Sequence, residues 1–149
     1  MSSPVTGART RFGFHVGQLC LLVGMDTRSE VVTLASISPI PNVPEWFLGL
    51  MNRRGHLLPV FDLHLLLEAG ESRRDNRTVL ILDQDSDAVG IPIDSLPQPV
   101  SVHRALRHRP PLPEGLEAHV PTAYATDKTI WLEFDHRSFF MAVGAQIVS

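Results

Sequence analysis

The chain has 149 residues, is 44% apolar and carries a formal charge of −3. That length suits one domain, or two small subdomains sharing a core, and folding at this size buries about two thirds of the extended-chain surface without a metal or disulfide staple. The mild negative charge argues against nonspecific nucleic-acid binding, the lone Cys20 excludes an internal disulfide, and no stretch reaches the ~20 apolar residues that span a bilayer.

Residues 1–10 are polar and broken by Pro4 and Gly7, and read as a flexible tail without the apolar run of a signal peptide. Phe12, Phe14 and Val16 alternate before Gly17-Gln18, and Leu19 to Val23 resume an apolar run, which predicts a first hairpin with a tight turn. Asp26 to Ser29 reads as a turn or a short helical start capped by Asp26, and Val31 to Leu34 as a strand. Pro39, Pro41 and Pro44 exclude regular helix over residues 38–44, while Glu45 to Leu48 fits one helical turn begun at Pro44.

The run from Phe47 to Leu63 carries the most information. Gly49 and Gly55 bracket the Asn52-Arg53-Arg54 corner, where a chain can turn sharply or pass close to a neighbour. His56 to Val60 reads as a strand, with Pro59 best tolerated at an edge, a bulge or a strand end. Asp62 can accept backbone N–H groups where the chain leaves that strand. Leu63 to Leu67 reads as a short helix or strand, and Gly70 to Arg77 as an exposed loop. Val79 to Leu82 is a compact strand, Asp83 to Asp87 a turn, and Ala88 to Ile93 its hairpin partner. Residues 94–121 are proline-rich and predict loop and short strand. Ile130 to Phe134 is a late strand, Asp135 to Phe139 a turn or short helix, and Met141 to Val143 an apolar ending. Many short strands, frequent Gly/Pro punctuation and little long helix favour an all-β fold of small barrels over an α/β sheet.

Reactive chemistry finds little support. Asp83, Asp85 and Asp87 alternate but lack the glycine and glutamate of a calcium loop. Ser36, Ser38, His56 and Asp62 supply the residue types of a triad without a nucleophile-elbow sequence. His103 and His108 lie five apart with no cysteine nearby, which is no zinc pattern. The same segment, with Arg104, Arg107 and Arg109, is a basic patch without aromatic interleaving, and reads as a solvated loop or one that meets an acidic partner surface. The expectation is a protein that is not an enzyme and needs no metal or cofactor.

Pro44, Gly49, Asn52-Arg53-Arg54-Gly55, Pro59 and Asp62-Leu63 follow the pattern Pro, Gly, Asn-Leu-Arg-Gly, Pro-x-x-Asp-Leu. Gly90-Ile91-Pro92-Ile93-Asp94 then matches a Gly-(apolar)-x-Val-Asp strand, and Glu30 stands in a Val-x-Glu-Val type context after the first hairpin. In these motifs, over Phe12 to about Phe140, the chain resembles the CheW-like domains of bacterial chemosensory systems. The resemblance implies a single domain over residues 11–149, built of two packed five-stranded SH3-like β-barrels with short helices. It further implies a noncatalytic adaptor that couples methyl-accepting chemoreceptors, at their cytoplasmic tip, to the regulatory domain of a chemotaxis-type histidine kinase. Such a protein is cytoplasmic and recruited to membrane-associated arrays, with no membrane insertion and no nucleic acid. A pilus-associated array serving twitching motility fits as well as a flagellar one.

The residues so nominated for binding or for supporting the interface are Glu30, Trp46, Phe47, Asn52, Arg53 and Arg54. Pro44, Gly49, Gly55, Pro59, Asp62, Leu63, Gly90 and Asp94 form the structural signature. Arg54 is expected to pair with Glu30 and Arg53 to face solvent. Asn52 and Asp62 are expected to satisfy loop backbone, and one of Trp46 and Phe47 to pack in the core. Arg53 departs from the family's leucine and adds a second positive charge, and Glu133 and Phe139 stand where aliphatic residues are expected. The alternative reading is a small-ligand module using the groove between the barrels. A large preformed pocket with convergent polar groups would favour it, and a broad apolar surface would favour protein docking.

Overall fold

The structure is a computed structural model that describes residues 9–69, 78–126 and 128–148. The expected loop from Gly70 to Arg77 and most of the expected N-terminal tail lie outside the described residues. Arg9 and Thr10, assigned to that tail, already belong to the first strand.

Among the described residues ten strands and two α-helices follow in order, with short 3-10 turns at Asp85–Asp87 and Glu117–His119. They are β1 (Arg9–Val16), β2 (Leu19–Leu22), β3 (Ser29–Val32), β4 (Phe47–Arg53), β5 (His56–Phe61), α1 (Leu63–Leu66), β6 (Val79–Leu82), β7 (Val89–Pro92), β8 (Gln98–Val102), β9 (Ala123–Thr126), β10 (Thr129–Glu133) and α2 (His136–Val148). The strands form two five-stranded sheets, ordered β8-β1-β2-β10-β9 and β3-β6-β7-β5-β4. Each sheet is drawn closed by the chain just beyond an edge strand. Ser38, shortly after β3, bridges Leu50 in β4, and Ala105, shortly after β8, bridges Tyr124 in β9. Closure of this kind removes the free edges at which strands would otherwise pair with other chains. The result is two SH3-like barrels. The first uses both ends of the chain, with β10 parallel to β2, and the second is inserted between them.

Strand alternation divides the apolar residues among three cores. In β6, Val79 and Ile81 enter the second barrel with Met51, Leu58, Val60 and Ala88. Leu80 and Leu82 face the opposite way, into the seam between the barrels with Phe14, Leu21, Phe61, Leu63, Ile91 and Leu132. Two-sided burial explains why β6 reads as an unbroken apolar run. The first barrel holds Leu22, Val100, Val102 and Trp131.

Four local expectations change. Residues 44–47 make a turn, with the Phe47 N–H donating to the Pro44 carbonyl at 3.0 Å, and β4 starts at once. Strand β3 ends at Val32, and Leu34 takes a positive φ of 52° beyond it. Pro59 sits inside a strand flanked on both sides. Its lack of an N–H is tolerated there because β5 registers with β7 only at Val60, opposite Gly90. The C-terminal segment is one 13-residue helix rather than a turn and an apolar ending. His136, Phe139, Phe140 and Val143 recur at helical spacing and are all buried, which is the signal that defines it.

Candidate functional site

Strands β4 and β5 are joined by Arg54-Gly55, with φ values of 53° and 86°. Two consecutive left-handed residues are the signature of a type I′ hairpin, whose twist matches that of the flanking strands. Asn52 Oδ1 accepts the Gly55 N–H at 3.0 Å and holds the turn. A Cβ on Gly55 would meet no atom within 4 Å, so glycine serves backbone conformation there rather than space. Gly49, with φ 143°, is required for both reasons, since a Cβ would press into the Ser38 carbonyl of the closing bridge.

Both arginines of the corner bind Glu30. Arg53 reaches its two carboxylate oxygens, Nε at 3.2 Å and an Nη at 2.7 Å, while Arg54 donates one bond at 3.1 Å. The expectation that Arg53 faces solvent is thereby corrected. Arg53 lies two residues beyond Met51, on the face directed into the barrel, so its side chain turns over the rim towards β3. Its side chain is 36% exposed against 71% for Arg54. The hydrogen bond from Arg53, aided by both guanidinium charges, holds the Glu30 carboxyl below its ordinary range despite partial burial. One carboxylate thus serves two guanidiniums, leaving a net positive corner with Arg54 outermost.

This cluster rims the mouth of the second barrel, a depression of about 180 Å³ floored by Leu58, Ile81 and Ala88. Its other rim is acidic: Asp85 stands 3.6 Å from His56, and Asp83 lies behind it. Asp83 accepts bonds from His136 Nε2 at 2.6 Å and from Arg137 at 2.7 and 3.1 Å. Burial pushes its carboxyl up, but the Arg137 and His136 bonds outweigh that and hold it below the ordinary range. The mouth is therefore tied to the start of α2. Sequence reading missed this link, because residues 83 and 136 have no local relation.

The remaining signature residues are dispersed and structural. Asp62 caps α1 by accepting the Leu65 N–H at 3.3 Å, and Leu63 is fully buried in the seam. His64, also missed, is buried with Nε2 2.8 Å from Asp94 Oδ2 and Nδ1 3.5 Å from Asp62. Asp94 in turn accepts the Gly17 N–H at 2.7 Å, tying the first barrel's hairpin to the exit of the second. A Cβ on Gly90 would crowd Val79 at 2.9 Å. Trp46 and Phe47 both pack on Phe61, at centroid distances of 6.0 and 5.1 Å, at the far end of β4 from the corner. The structure thus brings Glu30, Asn52, Arg53 and Arg54 together and leaves the two aromatics with the seam.

His56 pairs with Asp85 while Asp62 stands by His64, so the residue types of a triad go to different neighbours. Among the described residues no three His, Cys, Asp or Glu side chains are grouped to hold a metal ion. None of the helices among them is long and apolar enough to cross a membrane. Between the barrels, where the small-ligand reading places its groove, packed side chains fill the seam.

The CheW-like domain model matches residues 11–141. Protein FrzA of Myxococcus xanthus is 33% identical over 110 residues, spanning 65% of this chain and 69% of its own. Protein PilI of Pseudomonas aeruginosa is 28% identical over 125 residues, spanning 82% and 70%. The crystal structure of the scaffolding protein TtCheW from Thermoanaerobacter tengcongensis shares the fold, with a TM-score of 0.67 over 84% of this chain and 87% of that one, at 21% identity.

Proposed function

The chain belongs to the CheW-like domain family, and we propose that it is a noncatalytic adaptor coupling methyl-accepting chemoreceptors to a chemotaxis-type histidine kinase. Scaffolding and coupling are the work of this family. The observation that carries the finer reading is the Glu30–Arg53–Arg54 cluster on the Asn52–Gly55 hairpin. It is a positive corner held in place before any partner arrives.

Preorganisation is what a coupling interface needs. An arginine already fixed by a carboxylate loses less rotamer freedom on binding than a free one, and its planar fork suits carboxylate acceptors. Asn52 and Arg54 face outward to take the receptor's cytoplasmic tip, while Arg53 and Glu30 hold the hairpin. Exposed apolar strand positions, among them Leu57 on β5 and Phe12 on β1, serve the kinase regulatory domain. No bond is made or broken. Receptor state reaches the kinase as a coupling free energy between two occupied surfaces of one domain, residues 11–149. Both a pilus-associated and a flagellar array suit this role, with the protein in the cytoplasm beside the membrane.

Sedimentation of the purified protein with the kinase regulatory domain, a soluble receptor-tip fragment and both together tests the reading. Micromolar binding to each and a ternary complex are expected. Absence of kinase binding by the folded protein contradicts the coupling role.

A further inference from the structure

Between Asp94 and Glu114 the sequence holds Arg104, Arg107, Arg109, His103 and His108 and not one carboxylate. Elsewhere the described arginine side chains are engaged: Arg11 by Glu133, Arg28 by Gln84, Arg53 and Arg54 by Glu30, Arg137 by Asp83. Arg109 is engaged too, donating to the Glu117 and Val120 carbonyls at 2.6 and 2.7 Å. Arg104 and Arg107, both exposed, are the described arginines with neither a hydrogen bond nor an ion pair. Among the described residues, the arginines with no bonding partner thus stand together on one loop of the first barrel.

That loop borders the concavity of about 850 Å³ along residues 105–122. Arg107, Arg109 and His108 stand on its wall beside Leu106, Leu112 and the Pro110-Pro111 pair, with the exposed Glu117 the one carboxylate among the lining residues. The concavity is pinned open at two points. Arg109 clamps the loop to the segment after Glu117, and the Leu106 N–H donates to the Ala123 carbonyl at 2.7 Å. Leu106 and Leu112 are half-buried against the central core, which fixes the floor.

We infer that this concavity is a docking site for an extended acidic protein segment, its carboxylates on Arg104 and Arg107 and an apolar side chain against Leu106 and Leu112. Charge complementarity selects the sign of the partner. Nucleic acid suits the site less well, because its lining contains no Phe, Tyr or Trp and offers bases only the single imidazole of His108. The site lies on the first barrel and uses none of the residues of the second-barrel corner, so it stands or falls independently of the proposed coupling role.

A fluorescein-labelled eight-residue peptide of alternating Glu and Leu is the probe, titrated into the full chain with anisotropy as readout and amide shifts locating the contact. Saturable binding is expected, with shifts on residues 103–112. The Arg104→Ala/Arg107→Ala double variant weakens it about tenfold, Arg28→Ala leaves it unchanged, and added salt lowers it. Both substituted arginines are free of internal bonds, so an unchanged melting temperature is expected and checked. No saturable binding by about 1 mM peptide overturns the inference. So does equal binding by the double variant, or tighter binding of a single-stranded DNA of equal charge.

Discussion

Among the described residues each barrel carries one arginine–glutamate cluster, and the two are built for different ends. In the first, Arg11 is 5% exposed, bound to Glu133 at 3.0 Å and to the Val23 carbonyl at 2.9 Å. Its register places it opposite Val100, on the face that lines the barrel. In the second, Glu30, Arg53 and Arg54 sit at the mouth, with the outermost guanidinium 71% exposed. Similar chemistry inside and at the rim separates structural commitment from availability. The buried cation has its bonds made and nothing left to offer, whereas the rim cluster is fixed by one carboxylate and still presents charge to solvent.

The comparison breaks most visibly at Arg11. Arg11→Ala leaves Glu133 without its cation and is expected to cost roughly 3–5 kcal/mol in chemical denaturation. Replacing both partners, Arg11→Met with Glu133→Leu, is expected to recover most of that loss, because a packed apolar pair can match a buried ionic one. A single variant within about 0.5 kcal/mol of wild type would place the pair in water rather than in the barrel.

Asp83→Ala comes next. It removes the acceptor that holds His136 and Arg137, and an expected loss of roughly 1–3 kcal/mol should be accompanied by faster amide exchange in the first turn of α2. Unchanged exchange there would show that Phe139, Phe140 and Val143 hold the helix without the latch.

Acid sharpens the contrast further. Glu30 and Asp83 both have folded-state pKa values below their ordinary 4.5 and 3.8. Their contributions are therefore complete above those ordinary values and are lost as pH falls through the lower folded ones. In thermal melts between pH 5 and about pH 2 the Asp83→Asn variant should lose less than wild type. An equal slope would deny the carboxylate its role.

The smallest stability effect falls at the corner itself. Arg54→Asn keeps a residue suited to a left-handed turn before Gly55, so its melting temperature is expected within about a degree of wild type or slightly above. Receptor-tip affinity should nonetheless fall. A large loss of stability would recast the exposed arginine as a structural element.

What the sequence made legible follows how local each feature is. The Arg54-Gly55 turn and its Asn52 clasp span four residues, and most strands announce themselves by alternation or apolar runs between Gly/Pro punctuation, whereas β4 and β9 gave no such sign. Glu30 was reached through the family pattern, and strand phase then decided which arginine leads the pair: Arg53, on the barrel-facing side, takes both oxygens. The Arg11–Glu133 pair and the Asp83–His136 latch join positions 122 and 53 residues apart, and nothing in composition or period marks them. His64 was hidden for the same reason, its Asp94 partner lying 30 residues away. Helix α2 lost its signal to a short window, since its buried positions stand out only when the segment is read to its end.

The measurement that reaches the central claim most directly is titration calorimetry of a soluble receptor-tip fragment against wild type and Arg54→Ala, with both proteins matched for melting temperature. Micromolar binding by wild type and a roughly tenfold or greater weakening in the variant is the predicted result. Equal affinity of the two proteins, at equal stability, would contradict a receptor-facing role for the corner.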